Sequence, residues 1–117
     1  PRGRIVTVGS RGAYRGEPEV PAYGASKAAV HSMTQSLAVA LAPHGISCVG
    51  IAPGFIATDM TAELLESPAG QAIRAQSPFG RVATPQEVAL AIMALAGPDA
   101  EWASGSIVDF NGASYLH

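Results

Sequence analysis

Tyr23 and Lys27, in the run AYGASKAAV, set a phenol beside the only lysine of a 117-residue chain whose other positive charges are six arginines. Four residues apart on a helix, two side chains share one face, a single turn from each other. A free phenol holds its proton to about pH 10, so at neutrality it is a reluctant acid or base. A cation about 4 Å away, at an effective dielectric near 20, favours the phenolate by roughly 4 kcal/mol before desolvation costs. That brings general acid–base work at neutral pH within reach. An ammonium suits the task better than a guanidinium, because it is compact and can also bind sugar hydroxyls or relay protons.

Ser10, at the end of the run RIVTVGS, adds a hydroxyl that can hold a carbonyl oxygen while charge develops on it. Together the three groups can reduce a ketone or oxidise an alcohol. No side chain supplies hydride, so a nicotinamide cofactor is implied. On spacing alone, a surface lysine beside an ordinary buried tyrosine remains the competing reading. What lowers its weight is the placement of Ser10 and Pro53–Gly54 at the ends of predicted strands.

The β-branched run from Arg4 stops at Gly9–Ser10 and reads as a buried strand. The Gly- and Pro-bearing RGAYRGEPEVPA that follows reads as a loop. From about Pro21 to Ala42 the pattern is helical, with Pro21 suited to a first turn and Gly45 supplying the stop. ISCVGIA is a second apolar strand, ended by Pro53–Gly54. The segment TDMTAELLESPAGQAIRAQSP reads as short helical pieces broken at Pro68–Ala69–Gly70. In TPQEVALAIMALAGP, Thr84 is placed to cap a helix, Pro85 takes its first turn and Glu87 completes a capping box. Val88, Ile92 and Leu95 then share one face. SGSIVDFNG gives a third strand with a turn at Asn111–Gly112.

Strands separated by helices imply an α/β fold with a parallel sheet, here a single partial domain over residues 1–117. Ligands of open α/β sheets bind beyond the carboxyl ends of the strands, so Ser10, Tyr23, Lys27 and Pro53–Thr58 can converge on one crevice. A first strand apolar throughout is an association liability if left as an edge, and it reads as a strand expecting a further neighbour.

The composition is that of a soluble globular protein, 48% apolar and 14% charged. A net charge of −2 gives no electrostatic case for nucleic acid, and no apolar run approaches the ~18 residues of a membrane span. No signal peptide is expected ahead of the first strand. Cys48, alone in an apolar run, reads as a buried thiol in a reducing, cytoplasmic compartment. His31, His44 and His117 are scattered without acidic or thiol clusters, so no metal site is expected.

The ordered motifs GRIVTVGS, YGASK, PGFIATDM, SPFGRVATPQEVALAIMALA and SGSIVDFNG resemble the classical short-chain dehydrogenase/reductases over nearly the whole chain. The resemblance is strongest to the bacterial 3-oxoacyl-carrier-protein reductase type. It implies that Tyr23 is the catalytic acid/base and that Ser10 orients the substrate carbonyl. It makes Lys27 the group that acidifies Tyr23 and binds the nicotinamide ribose. It also implies that Pro53, Gly54, the Ile56 backbone and Thr58 face the nicotinamide carboxamide of NAD(P)(H), and that Asp59 to about Pro78 is a mobile substrate lid. A small-molecule carbonyl or alcohol substrate and a homo-oligomer, formed partly through the Ala/Ser-rich face of the Pro21–Ala42 helix, follow from the same resemblance.

The family's opening strand, its Thr-Gly-x-x-x-Gly-x-Gly turn for the cofactor pyrophosphate, its Asn-Ala-Gly segment and its catalytic asparagine are not among these residues. DFNGA stands where Asp-Gly-Gly is usual. The chain therefore resembles the C-terminal half of a Rossmann-like doubly wound sheet, and weak or no dinucleotide binding is expected of these residues alone. The alternative is a catalytically inactive remnant serving as an oligomerisation module.

Three weaker signals complete the reading. Arg2, Arg4, Arg11 and Arg15 are expected to be solvated surface charge, His31 a core or interface residue, and Trp102 a packing residue.

Overall fold

The computed structural model of the protein describes residues 2–117. Its centre is a parallel sheet of three strands, β1 (Gly3–Val8), β2 (Ile46–Pro53) and β3 (Ile107–Phe110), in the order β1-β2-β3. Register runs Val8↔Ile51 on one side of β2 and Pro53↔Phe110 on the other. Strand β2 is buried from Ser47 to Pro53, as a strand covered on both faces must be. That explains why ISCVGIA is a continuous apolar run rather than an alternating one. Val49, Ile51 and Cys48 form the centre of the core, and burial raises the Cys48 thiol above its usual range.

Helix α1 (Pro21–Leu41) crosses from β1 to β2. Its inner face buries His31, Thr34 and Ala38 against the sheet. Thr34 is fully enclosed, and its Oγ1 meets both the Val30 carbonyl, at 2.7 Å, and the Thr7 hydroxyl, at 2.6 Å. A β-branched polar residue is thus accommodated in the core with its hydrogen bonds made. The chain leaves α1 through a short 3₁₀ turn and reverses at Gly45, whose φ of 73° lies in the left-handed region glycine adopts without penalty.

Beyond β2 the chain forms α2 (Ala62–Glu66) and α3 (Ala69–Ala75). The break between them lies at Ser67–Pro68. Ala69 and Gly70, expected in the break, belong to α3. Gly70 fits there because a Cβ would fall 1.8 Å from the Leu65 carbonyl oxygen, so the two helices abut at their backbones. Helix α4 (Pro85–Leu95) has the complete capping box foreseen for Thr84 and Glu87. Val88 is buried and Ile92 and Leu95 are half-buried, while Leu90 and Met93 face outward.

Two expectations are corrected. Trp102 is 98% exposed and packs against nothing among the described residues. The four early arginines are not solvated charge as a group. Arg11 is buried, and Arg2 and Arg4 pair with Glu101. Arg15 meets Glu17 at 2.5 Å.

Candidate active site

The carboxyl end of β1 carries the first site residue. Gly9 continues the ladder, its N–H donating to the Ile51 carbonyl at 2.8 Å, and the chain then folds into a 3₁₀ turn, Arg11–Ala13. Ser10 caps that turn, its Oγ accepting from the Gly12 N–H at 3.0 Å. Accepting there leaves the hydroxyl proton of Ser10 free to donate elsewhere. The side chain is fixed by the backbone it caps.

Helix α1 begins against this turn. Gly24 permits the approach, since a Cβ there would lie 3.0 Å from the Gly12 carbonyl oxygen. Tyr23 and Lys27 therefore occupy the first turns of a helix docked on the loop that holds Ser10. Lys27 is half-buried and its Nζ donates to the Val8 carbonyl at 3.2 Å, at the end of β1. The same ammonium stands 5.8 Å from the centre of the Tyr23 ring. Tyr23 is 47% exposed, so its phenol is open to a ligand rather than enclosed in the core. The structure thus brings Ser10, Tyr23 and Lys27 to one end of the sheet, and the ammonium is held by a strand end as well as by its helix.

Pro53, Gly54, Ile56 and Thr58 leave the end of the neighbouring strand. Pro53 is buried at the last β2–β3 pair, and the Gly54 N–H donates to the Phe110 carbonyl at 3.2 Å. A Cβ on Gly54 would come within 2.9 Å of the Asn111 Cβ, so only glycine lets the loop pass β3 this closely. The Ile56 carbonyl accepts from Thr61 Oγ1 at 2.9 Å, and that oxygen also accepts from the Thr58 N–H at 2.8 Å. Among the described residues the Ile56 N–H has no protein acceptor. Thr61, overlooked in the sequence, is what pins this loop. Its signal was the pair of threonines three apart in TDMT, whose hydroxyls bond nearby backbone groups.

His31 is buried as expected, and it also makes a hydrogen bond the sequence did not show. It lies beneath Gly9–Ser10, and its Nε2 accepts from the Ser10 N–H at 3.2 Å. Tyr14 stands against its ring at 5.0 Å, and His117 stacks on Tyr14 at 4.2 Å. His117 in turn meets Asp109 at 2.8 Å. Burial pushes the Tyr14 phenol up, with Asp109 adding to the effect. It pushes the Arg11 guanidinium down, reinforced by Arg15 and opposed by Glu17. Arg11 also donates to Ser114 Oγ at 2.7 Å, tying the last residues of the chain to the Ser10 turn.

A cavity of about 570 Å³ opens beside this tie, between Phe55, the Ile73–Ala83 segment and the Asn111–His117 tail, with Arg11 in its wall. Tyr23, Lys27 and Ser10 do not line it. Its volume lies within the ordinary range for small-molecule sites.

Residues 1–112 match the protein family described as Enoyl-(Acyl carrier protein) reductase. The 3-oxoacyl-acyl-carrier-protein reductase FabG of Vibrio cholerae is 39% identical over 115 residues, which is 98% of this chain and 47% of that protein. The chain belongs to the short-chain dehydrogenase/reductase family. An NADPH-dependent aldehyde reductase-like chloroplastic protein of Arabidopsis thaliana is 42% identical over 94% of this chain and 41% of its own length. Among solved structures, a short-chain dehydrogenase/reductase from Brucella melitensis superposes with a TM-score of 0.90 at 37% identity, covering 99% of this chain and 47% of that one. A 3-ketoacyl-(acyl-carrier-protein) reductase from the same organism, complexed with NADH, superposes at 0.87 and 30% identity over 98% of this chain and 45% of its own. The chain thus spans about half the length of the relatives it matches, and its three parallel strands with intervening helices belong to the Rossmann-like fold of this family.

Proposed function

We propose that this chain provides the proton-transfer and substrate side of an NAD(P)-dependent oxidoreductase that interconverts a carbonyl and an alcohol, with 3-oxoacyl thioesters as the substrate class to test first. The observation that carries the reading is the Lys27 ammonium, held between the Val8 carbonyl and the ring of an exposed Tyr23.

The residues at the strand ends suit a nicotinamide. Lys27 keeps donors beyond the one given to Val8, Tyr23 is open, and the Ile56 N–H and Gly54 cradle lie on the adjoining strand end. When bound, the cofactor supplies or accepts the hydride. Pro53, Gly54, Ile56 and Thr58 would face its carboxamide, and Lys27 its ribose.

The chain's own residues do the rest. The Ser10 hydroxyl, accepting from Gly12, donates a hydrogen bond to the substrate oxygen and fixes the carbonyl's direction. Tyr23 gives its phenolic proton to that oxygen in reduction and takes it back in oxidation. The cavity between Phe55 and the Asn111–His117 tail offers room for the remainder of the substrate, and the segment from Asp59 to Pro78, with Ile73 and Ser77 at its edge, would close over it as a lid.

Two further observations bear on partners. The outward face of α1 presents Ala25, Ala29, Ser32 and Ser36 together with exposed Met33 and Val39. Small residues at this spacing allow a second helix to approach closely, so a homo-oligomer built on this face is part of the proposal. The same face favours the second reading, a module that associates without turning over substrate. No helix among the described residues is long and apolar enough to cross a membrane.

The deciding experiment is Ser10→Ala, Tyr23→Phe and Lys27→Met in the intact protein, assayed for NADPH oxidation with a 3-oxoacyl thioester. Loss of turnover in all three supports the oxidoreductase, and unchanged turnover in Tyr23→Phe rejects it.

A further inference from the structure

We infer that His31 is a positioning residue for Ser10: its neutral imidazole, accepting the Ser10 N–H at Nε2, holds the loop that carries the substrate-orienting hydroxyl, and protonation of the ring releases it. The inference rests on the reading of Ser10 as the group that receives the substrate oxygen.

The geometry leaves His31 one state in which to do this. An N–H can donate only to an unprotonated ring nitrogen, so the proton of the neutral ring sits on Nδ1. A charged imidazolium would turn a second donor toward the Ser10 N–H, and the pair would become donor against donor. The ring has little space to turn away. It is 7% exposed, Tyr14 stands against it, and the backbone of Gly9 passes so close that a Cβ there would fall 1.9 Å from Nε2. Gly9 is thus the residue that admits the imidazole under the strand end.

The Ser10 backbone and side chain are coupled through one turn. Ser10 N–H donates to His31, and Ser10 Oγ accepts from Gly12 N–H. Displacing the first tilts the second, because both belong to the residue that caps the turn.

The charged and titratable groups around the ring come from three directions. Lys27, on the same helix, opposes protonation. Asp109, at the end of β3 and paired with His117, favours it. Tyr14, from the turn, covers the ring and carries His117 stacked on itself. Burial outweighs these and keeps the ring below the usual histidine range, so the accepting form prevails at neutral pH. A purely space-filling histidine would have no reason to be read by Ser10.

The test is a pH titration of the protein by nuclear magnetic resonance, following the Ser10 amide and the His31 ring nitrogens, with Ser10 amide hydrogen exchange measured at neutral pH. The expected result is a neutral ring protonated at Nδ1 and a Ser10 amide shift whose midpoint coincides with that of His31. His31→Gln, whose amide oxygen can accept the same N–H, should keep Ser10 protected and remove the pH dependence. His31→Phe should lose about five- to tenfold in protection, the size of one net hydrogen bond. A Ser10 amide indifferent to His31 protonation would overturn the inference, and the wild-type titration reads this even where a variant fails to fold. Protection in His31→Phe equal to wild type would overturn it as well. Ser10→Ala in the intact protein reads the underlying role separately. Unchanged turnover there removes Ser10 from the chemistry, and with it the purpose of positioning it.

Discussion

Lys27 is shared between two acceptors of different kind, the Val8 carbonyl and the electron-rich face of Tyr23. A strand end therefore fixes the position of the charge beside the ring. Lys27→Arg preserves the charge but not the compact donor. Its turnover should fall at least about tenfold, with the fold unchanged by circular dichroism. His31 adds a pH dependence of its own. Burial lowers its affinity for a proton in the folded chain, while unfolding returns the ring to its ordinary value. The unfolded chain then binds more protons in the window between the two values. The stability this residue contributes is complete above about pH 6.5 and declines as pH falls through that value. Urea midpoints measured from pH 7.5 down to 5 should fall in wild type and flatten in His31→Gln. Tyr23 and Lys27 were legible because a helix turns chain spacing into spatial proximity. His31 was not, because its partner lies 21 residues away and only packing brings the two together.

The helices show how local signals carried or failed. Thr84, Pro85 and Glu87 specify the start of α4 within four residues. The cap is complete, Glu87 N–H donating to Thr84 Oγ1 at 3.1 Å and Thr84 N–H donating to the Glu87 carboxylate at 3.0 Å. Thr84→Ala should cost about 1 kcal/mol, read as a lower urea midpoint. Hydrogen bonds from Arg81 and then from the Thr84 backbone hold the Glu87 carboxyl down to about 2, against an ordinary 4.5. Its part in the cap is therefore present above pH 4.5 and lost as pH falls through about 2, which a carbon-13 titration of that carboxyl would show. The break between α2 and α3 was harder to locate. Proline and glycine both signal interruption, yet Gly70 serves close packing against Leu65 rather than a turn. Trp102 was misplaced for a related reason, since apolar character predicts burial only where another surface exists to cover it.

Over the whole molecule, the order of motifs revealed the parallel sheet, because βαβ connections leave few alternatives. What lies outside each surface was less legible. Strand β1 pairs with β2 alone among the described residues, and the outer faces of α1 and α4 leave Val39, Leu90 and Met93 exposed. Association should therefore depend on concentration in size-exclusion chromatography. Ala29→Arg, on the exposed face of α1, should shift the distribution toward monomer without loss of helicity. These residues hold no Gly-rich pyrophosphate turn, so calorimetric titration of the 117-residue chain with NADPH should show no saturation below roughly millimolar concentration. The most direct measurement is the turnover of Tyr23→Phe against wild type in the intact protein at saturating cofactor. Removing the phenolic proton should lower kcat by about a hundredfold or more while cofactor affinity stays within a small factor of wild type. A variant that turns over at the wild-type rate would contradict the assignment of proton transfer to this phenol.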